Sequence, residues 1–158
     1  MADEKNLENA KKVYGTLCQA LDNREWRYDK DEENLVVYFG VNGDDIPMNF
    51  VIIVDADRQI VRLASMLPFK MSEGKRMEGA IATCAATYGL ADGSFDYDLS
   101  DGSIVFRLTA SFRGSELGEP LFQYMISCAS AMVDHFNDQF LAIDKGVLSI
   151  GDFLSNRQ

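Results

Sequence analysis

The sequence predicts an α+β fold: a mainly antiparallel sheet of five or six strands, carrying an N-terminal helix, a central helix and a long C-terminal helix. Two observations predict it. Helical and strand-like runs come in separate blocks rather than in strict alternation, and the strand blocks are tied by turns rich in Asp, Asn and Gly, such as Asn42-Gly43-Asp44-Asp45 and Leu99-Ser100-Asp101-Gly102. No repeat and no low-complexity linker interrupts the 158 residues, so a single domain over 1–158 is expected, large enough to bury a core without staples.

Residues 4–22 place Leu7, Ala10, Tyr14, Leu17 and Leu21 at spacings of three and four, the period of a helix with one apolar face. Trp26 to Asp29 reads as a short strand, ended by the charged turn Lys30-Asp31-Glu32-Glu33-Asn34. Leu35–Val41 and Met48–Val54 are rich in Val, Ile, Tyr and Phe, which suit a pleated surface. Asp55–Arg58 turns the chain into a further strand, Ile60–Leu67, which Pro68 is expected to close. Ser72 is placed as the N-cap of the central helix, with Glu73 suiting the positive end of its dipole. Met77, Ala80, Ile81, Cys84 and Tyr88 mark one face of that helix, and Gly89 stops it. Ser94–Leu99 and Ser103–Phe112 form a hairpin, followed by a loop over Arg113–Gly118. Pro120 fits a first helical turn, and the last helix runs to Gly146, about 40 Å in length. Val147–Leu154 is an apolar tail expected to dock.

The charge balance narrows the function. Fifteen Lys and Arg stand against 25 Asp and Glu, a net charge of -10 that repels phosphate backbones and anionic membranes. The nearest thing to a basic patch, Lys70–Arg76, holds three cations and one Glu and reads as the solvated start of a helix, so nucleic acid and membrane are not expected partners. The polar start, Met1-Ala2-Asp3-Glu4-Lys5-Asn6, lacks the apolar core of a signal peptide, and the longest apolar run, Phe50–Val54, is strand-sized. A cytoplasmic protein is expected. Cys18, Cys84 and Cys128 fall one per helix at wide spacing, as buried small hydrophobes rather than a disulfide or zinc framework.

Chemical motifs fail on inspection. His135 is the sole histidine, and Cys128 lies seven residues earlier on the same helix, about 10 Å away along the axis and beyond hydrogen-bond reach. Ser72-Glu73-Gly74-Lys75 matches a Ser-x-x-Lys pattern, but the companion Lys-Thr-Gly element is absent. Asp92, Asp96, Asp98 and Asp101 invite a calcium loop, yet Asp101 stands where its glycine belongs and Arg107 where its closing glutamate belongs. No phosphate loop occurs, and no catalytic, metal or cofactor residue is assigned.

Over residues 47–108 the pattern becomes more specific. Asn49-Phe50-Val51-Ile52-Ile53-Val54-Asp55 is followed by Ile60-Val61-Arg62-Leu63-Ala64-Ser65, by Pro68 and by a helix. Then come the strand Gly93-Ser94-Phe95-Asp96-Tyr97-Asp98, the turn Asp101-Gly102 and a returning strand ending in Arg107. This arrangement resembles the YbjN family of bacterial proteins, and the flanking helices extend the resemblance over most of the chain. Ala85, Ala86 and Thr87 stand where that family often has asparagines. The resemblance implies a fold similar to type III secretion chaperones, a homodimer, and a regulatory or chaperone-like role without catalytic residues.

Three surfaces are candidates for partners. The corner Met66-Leu67-Pro68-Phe69-Lys70-Met71 offers Met66, Leu67, Phe69 and Met71 as a partner-binding patch, unless it caps the core. Residues 121–133 are apolar nearly all round, so Phe122, Ile126, Ala129 and Val133 either form a dimer interface or lie between the sheet and the central helix. Val36-Val37 and Val51-Ile52-Ile53 are apolar at both strand parities, so both sheet faces call for cover, from helix one, a partner chain or a bound peptide. The expected function is a non-enzymatic, chaperone-like or regulatory module that docks apolar segments of a protein partner. The alternative is a small-ligand or anion-binding protein, or an enzyme, with Arg62, Arg107 and Tyr97 lining its pocket.

Overall fold

Burial alternates residue by residue along the strands, as the pleat demands, and this splits the sheet into one core face and one outer face. A computed structural model describes residues 2–156. The elements are α1 (Glu4–Asn23), β1 (Asp29–Asp31), β2 (Val36–Val41), β3 (Met48–Asp55), β4 (Ile60–Lys70), α2 (Arg76–Tyr88), β5 (Ser94–Tyr97), β6 (Ser103–Ser111), α3 (Glu119–Asp144) and α4 (Ile150–Ser155). They build a six-stranded antiparallel sheet in the order β1-β2-β3-β4-β6-β5, with three longer helices and a short one, the α+β class that the sequence predicts.

Val37, Ile52, Leu63 and Leu108 stand in register across four strands of the core face. Val37, Ile52 and Leu63 are fully buried, and a large aliphatic side chain buried in this way contributes about 1.5–3 kcal/mol. α1 supplies Val13, Leu17 and Leu21 to the same core, and α3 supplies Phe122, Met125, Val133, Phe140 and Ile143. The apolar tail is docked as expected: it folds into α4, whose Phe153 is buried.

α3 is also tied at its polar positions. Glu119 accepts from the Asn23 amide at 2.9 Å, and Gln123 from Arg24 at 3.0 Å, which fixes the end of α1. Asp134 accepts from the Asp44 N–H at 2.9 Å and holds the β2–β3 turn. Tyr124 donates to Asp92 before β5. Asp144 accepts from both the N–H and the hydroxyl of Ser72, each at 2.7 Å.

Several boundaries differ from the sequence expectation. β1 lies at Asp29–Asp31 rather than Trp26–Asp29, because Trp26 closes the end of α1. β4 continues through Pro68 to Lys70, since a register shift between Met66 and Lys70 spares the proline a ladder N–H. Ser72 makes no cap bond to the central helix. Its polar groups go to Asp144, and a 3-10 turn at Glu73–Lys75 leads into α2. β5 ends at Tyr97 because the Asp98 N–H already turns back to Ser103. In that turn Gly102 has φ +78° and lies over the Met71 backbone, so neither the conformation nor the space admits a side chain.

Two predictions concern the end of α1 and the tie between Asp144 and Ser72. α1 ends in a Schellman motif, with the Trp26 N–H bonded to Leu21 O and the Glu25 N–H to Asp22 O, and Glu25 sits at φ 55° where glycine is unstrained. Glu25→Gly is expected to stabilise by about 1 kcal/mol and to raise the thermal midpoint by roughly 2–4 °C; an unchanged or lowered midpoint refutes this. At Asp144, burial works against the charged form, but the two Ser72 hydrogen bonds outweigh it and hold the carboxyl below its ordinary range. A depressed folded-state value gives stability that is complete above the unfolded value of about 3.9 and lost as pH falls through the folded one. Asp144→Asn is therefore expected to cost about 1 kcal/mol at neutral pH for this half-exposed group. Urea midpoints of variant and wild type should converge in acid, and a gap that persists there would exclude the carboxylate as the cause.

Candidate functional site

α2 is folded with its small side chains inward. A Cβ on Gly79 would lie 2.7 Å from Met71 Cγ and 2.8 Å from Tyr97 Oη, so only glycine fits there. Ala82 and Ala86 are fully buried, and Thr83 returns its hydroxyl to Gly79 O at 2.8 Å. The large side chains are left outside: Tyr88 is 94% exposed, Met77 70% and Ile81 44%, with Cys84 also exposed. Met77, Ile81, Cys84 and Tyr88 follow one another at spacings of four, three and four, which is the seam spacing of two packed helices. Leu154 of α4 stands beside Ile81, Cys84 and Tyr88, and these four with Ala80 and Ala85 line an apolar groove of about 770 Å³.

The rim of this face is closed by Thr87. Its hydroxyl accepts from the Phe95 N–H at 2.9 Å and lies 3.4 Å from Phe95 O, on the outer edge of β5. The edge strand is therefore capped by a side chain at the position where an added strand would begin to pair.

A second apolar surface covers the outer face of the sheet. Tyr38, Val51 and Ala64 form one transverse row with Arg107, and Val36, Ile53 and Arg62 form the next with Thr109. Tyr38 and Met66 are 48% and 60% exposed, and Val51, Ile53, Ala64 and Val105 are half-buried without joining the core cluster.

The sites expected from the sequence are redistributed. Leu67 and Met71 are buried in the core and Phe69 packs against it, so the corner is no contiguous patch. Because β4 persists through it, successive side chains point to opposite faces, and Met66 alone stands out, on the outer sheet face. Phe122, Ile126, Ala129 and Val133 are all buried within one subunit, where α3 meets the sheet, α1 and α2. The apolar excess that suggested a dimer interface on α3 is thus consumed by its own chain. Arg62 and Arg107 share the outer face, but Tyr97 packs against the core side and donates to Arg76 O at 2.8 Å, so the three do not converge. Asp96 pairs with Arg107 at 2.9 Å, and Asp98 and Asp101 accept from Ser100 and Ser103 in their own turn. His135 is exposed with its ring edge-on to Phe136. Burial pushes the Cys18 and Cys128 thiols up, away from thiolate chemistry.

Among the described residues no helix is long and apolar enough to cross a membrane. No family model and no curated protein matches the sequence. The fold is nevertheless shared with solved structures. The crystal structure of YbjN, a candidate transcription regulator from E. coli, aligns with a TM-score of 0.57 at 12% identity, covering 80% of this chain and 92% of that one. A chain of the HopA1–SchA chaperone–effector complex aligns with a TM-score of 0.50 at 15% identity, covering 84% of this chain and 95% of that one. At such identities the likeness is one of fold alone, the fold of YbjN and of a chain of that complex.

The capped edge is testable. Thr87→Val keeps the shape and removes the acceptor, leaving the Phe95 N–H unpaired at a cost of roughly 1–3 kcal/mol. Faster hydrogen exchange at the Phe95 amide, with a lowered denaturation midpoint, is the expected outcome. Unchanged exchange would show that the hydroxyl does not protect the edge.

Proposed function

We propose that this chain is a non-enzymatic, chaperone-like or regulatory protein-binding module of the cytoplasm, and that its α2–α4 face docks an apolar helical segment of a protein partner. One observation carries the reading: α2 buries glycine and alanine while holding Met77, Ile81, Cys84 and Tyr88 in water. Burying side chains of the size of Ile81 and Tyr88 on a partner would contribute about 1.5–3 kcal/mol each, enough to make them the centre of an interface. The fold shared with a chain of a chaperone–effector complex supports the same class of function.

A homodimer through this face is the second reading, favoured by the seam spacing. Two α2 helices packed antiparallel about a twofold axis set Met77 of one against Tyr88 of the other, a self-complementary arrangement. The open shape of the groove and its few polar groups speak against a small-molecule site, which needs an enclosed cleft with convergent polar groups.

Ile81→Asp is expected to abolish capture of a native partner from lysate, while Lys11→Ala on the exposed side of α1 retains it. Circular dichroism checks that the variant is folded. Light scattering after size exclusion separates the two occupants: a wild-type dimer reduced to monomer by Ile81→Asp assigns the face to a second copy. A monomeric wild type whose partner recovery is indifferent to Ile81→Asp would remove α2 from the function altogether.

A further inference from the structure

The outer sheet face differs from the α2 face in carrying a charge. Ala64 is a low point at its centre, with Val51 and Arg107 to either side across the sheet and Arg62 and Met66 to either side along β4. The exposed side chains of Tyr38 and Met66 raise an apolar rim around it. Arg107 is held by Asp96, whereas the guanidinium of Arg62, half-buried between the Ile53 and Thr109 positions, has no ion pair or hydrogen bond among the described residues. The net charge of -10 opposes anions at a distance, but at contact range an unpaired guanidinium on an apolar face attracts a carboxylate.

We infer that this face docks an amphipathic α-helix of another protein, which seats an apolar side chain over Ala64 and a carboxylate on Arg62. Residues 62 and 64 lie two apart on a strand, roughly 6.7 Å. Helical residues four apart are separated by roughly 6 Å along the axis, so a Leu-x-x-x-Glu pattern presents both groups in register. A helix is chosen over an added strand because the surface offers side chains, not free backbone groups: β5 is capped by Thr87, and β1 is three residues long and charged throughout. A second copy of this chain is a poor occupant. A twofold axis along β4 would bring Arg62 against its own equivalent in a desolvated contact, and one across the strands at Ala64 would set it against the apolar Met66. The inference extends the protein-binding reading to a separate face, and its failure leaves α2 untouched.

The test titrates the isotopically labelled full chain with a soluble alanine-based helical peptide carrying Leu and Glu at that spacing, and with its Lys-for-Glu twin. The Glu peptide is expected to shift the amides of Val51, Ala64 and Val105 and to bind about fivefold more tightly than the Lys twin, the size of a half-exposed ion pair. Arg62→Gln is expected to erase that preference and Arg62→Glu to reverse it. Ala64→Trp fills the low point and should abolish binding; if it does not fold, Met66→Asp takes its place. Ile81→Asp should leave peptide binding unchanged. No shift on the sheet face, equal affinity for the twins, or shifts confined to α2 would each overturn the inference. A wild-type dimer that Ala64→Trp or Met66→Asp dissociates would also overturn it, assigning the face to a second copy.

Discussion

Phe95 of β5 meets Phe136 and Phe140 of α3 edge-on, with ring centroids at 5.5 and 5.2 Å, and Phe106 of β6 at 5.1 Å. Phe153 of α4 closes on Phe136 and Phe140 at 6.4 and 6.1 Å. This aromatic seam joins the far end of the sheet, the long helix and the C-terminal helix, and each edge-to-face pair adds about 0.5–1.5 kcal/mol beyond its buried area. What remains beside it is a narrow slot between β5, Met71 and α3, and α2 fills that slot. A helix fits there only with glycine and alanine inward, so the exposed apolar stripe of α2 is the geometric complement of the seam. The surface follows from the core.

The polar bonds of α3 serve a different end. Side chains along its length, from Glu119 to Asp144, reach the end of α1, the loop before β5, the β2–β3 turn and the entry to α2. Each such bond contributes little by itself, about 1 kcal/mol. Together they place loops that the apolar core does not touch, and they orient α2 so that its stripe and α4 form one groove.

The strands, the helices and the class of fold were legible because each rests on a local signal: β-branched and aromatic content in Met48–Val54, and three–four spacing in Leu7–Leu21. Placement of the site was less so. Residues 121–133 look over-hydrophobic in isolation, because the chain gives no sign that three elements converge on one helix. The corner at Pro68 reads as a break, because a register shift that accommodates a proline depends on the neighbouring strand. The α2 face was half visible. Met77, Ile81, Cys84 and Tyr88 stand on one side and Gly79, Ala82 and Ala86 on the other, but which side faces the protein is set by the room beside Phe95 and Met71, and no spacing encodes it.

The capping of Phe95 by Thr87 has a bearing on how the molecule behaves when crowded. A protein with two uncovered apolar faces is a poor candidate for high concentration if its sheet can also grow sideways, since backbone pairing is indifferent to sequence and propagates without limit. Here one margin is sealed by a hydroxyl, and the other carries Asp29, Lys30 and Asp31. Pairing by an added strand is thereby disfavoured at Phe95 and along the charged β1, which steers contact with other chains toward side-chain surfaces, where fit and charge decide who is admitted.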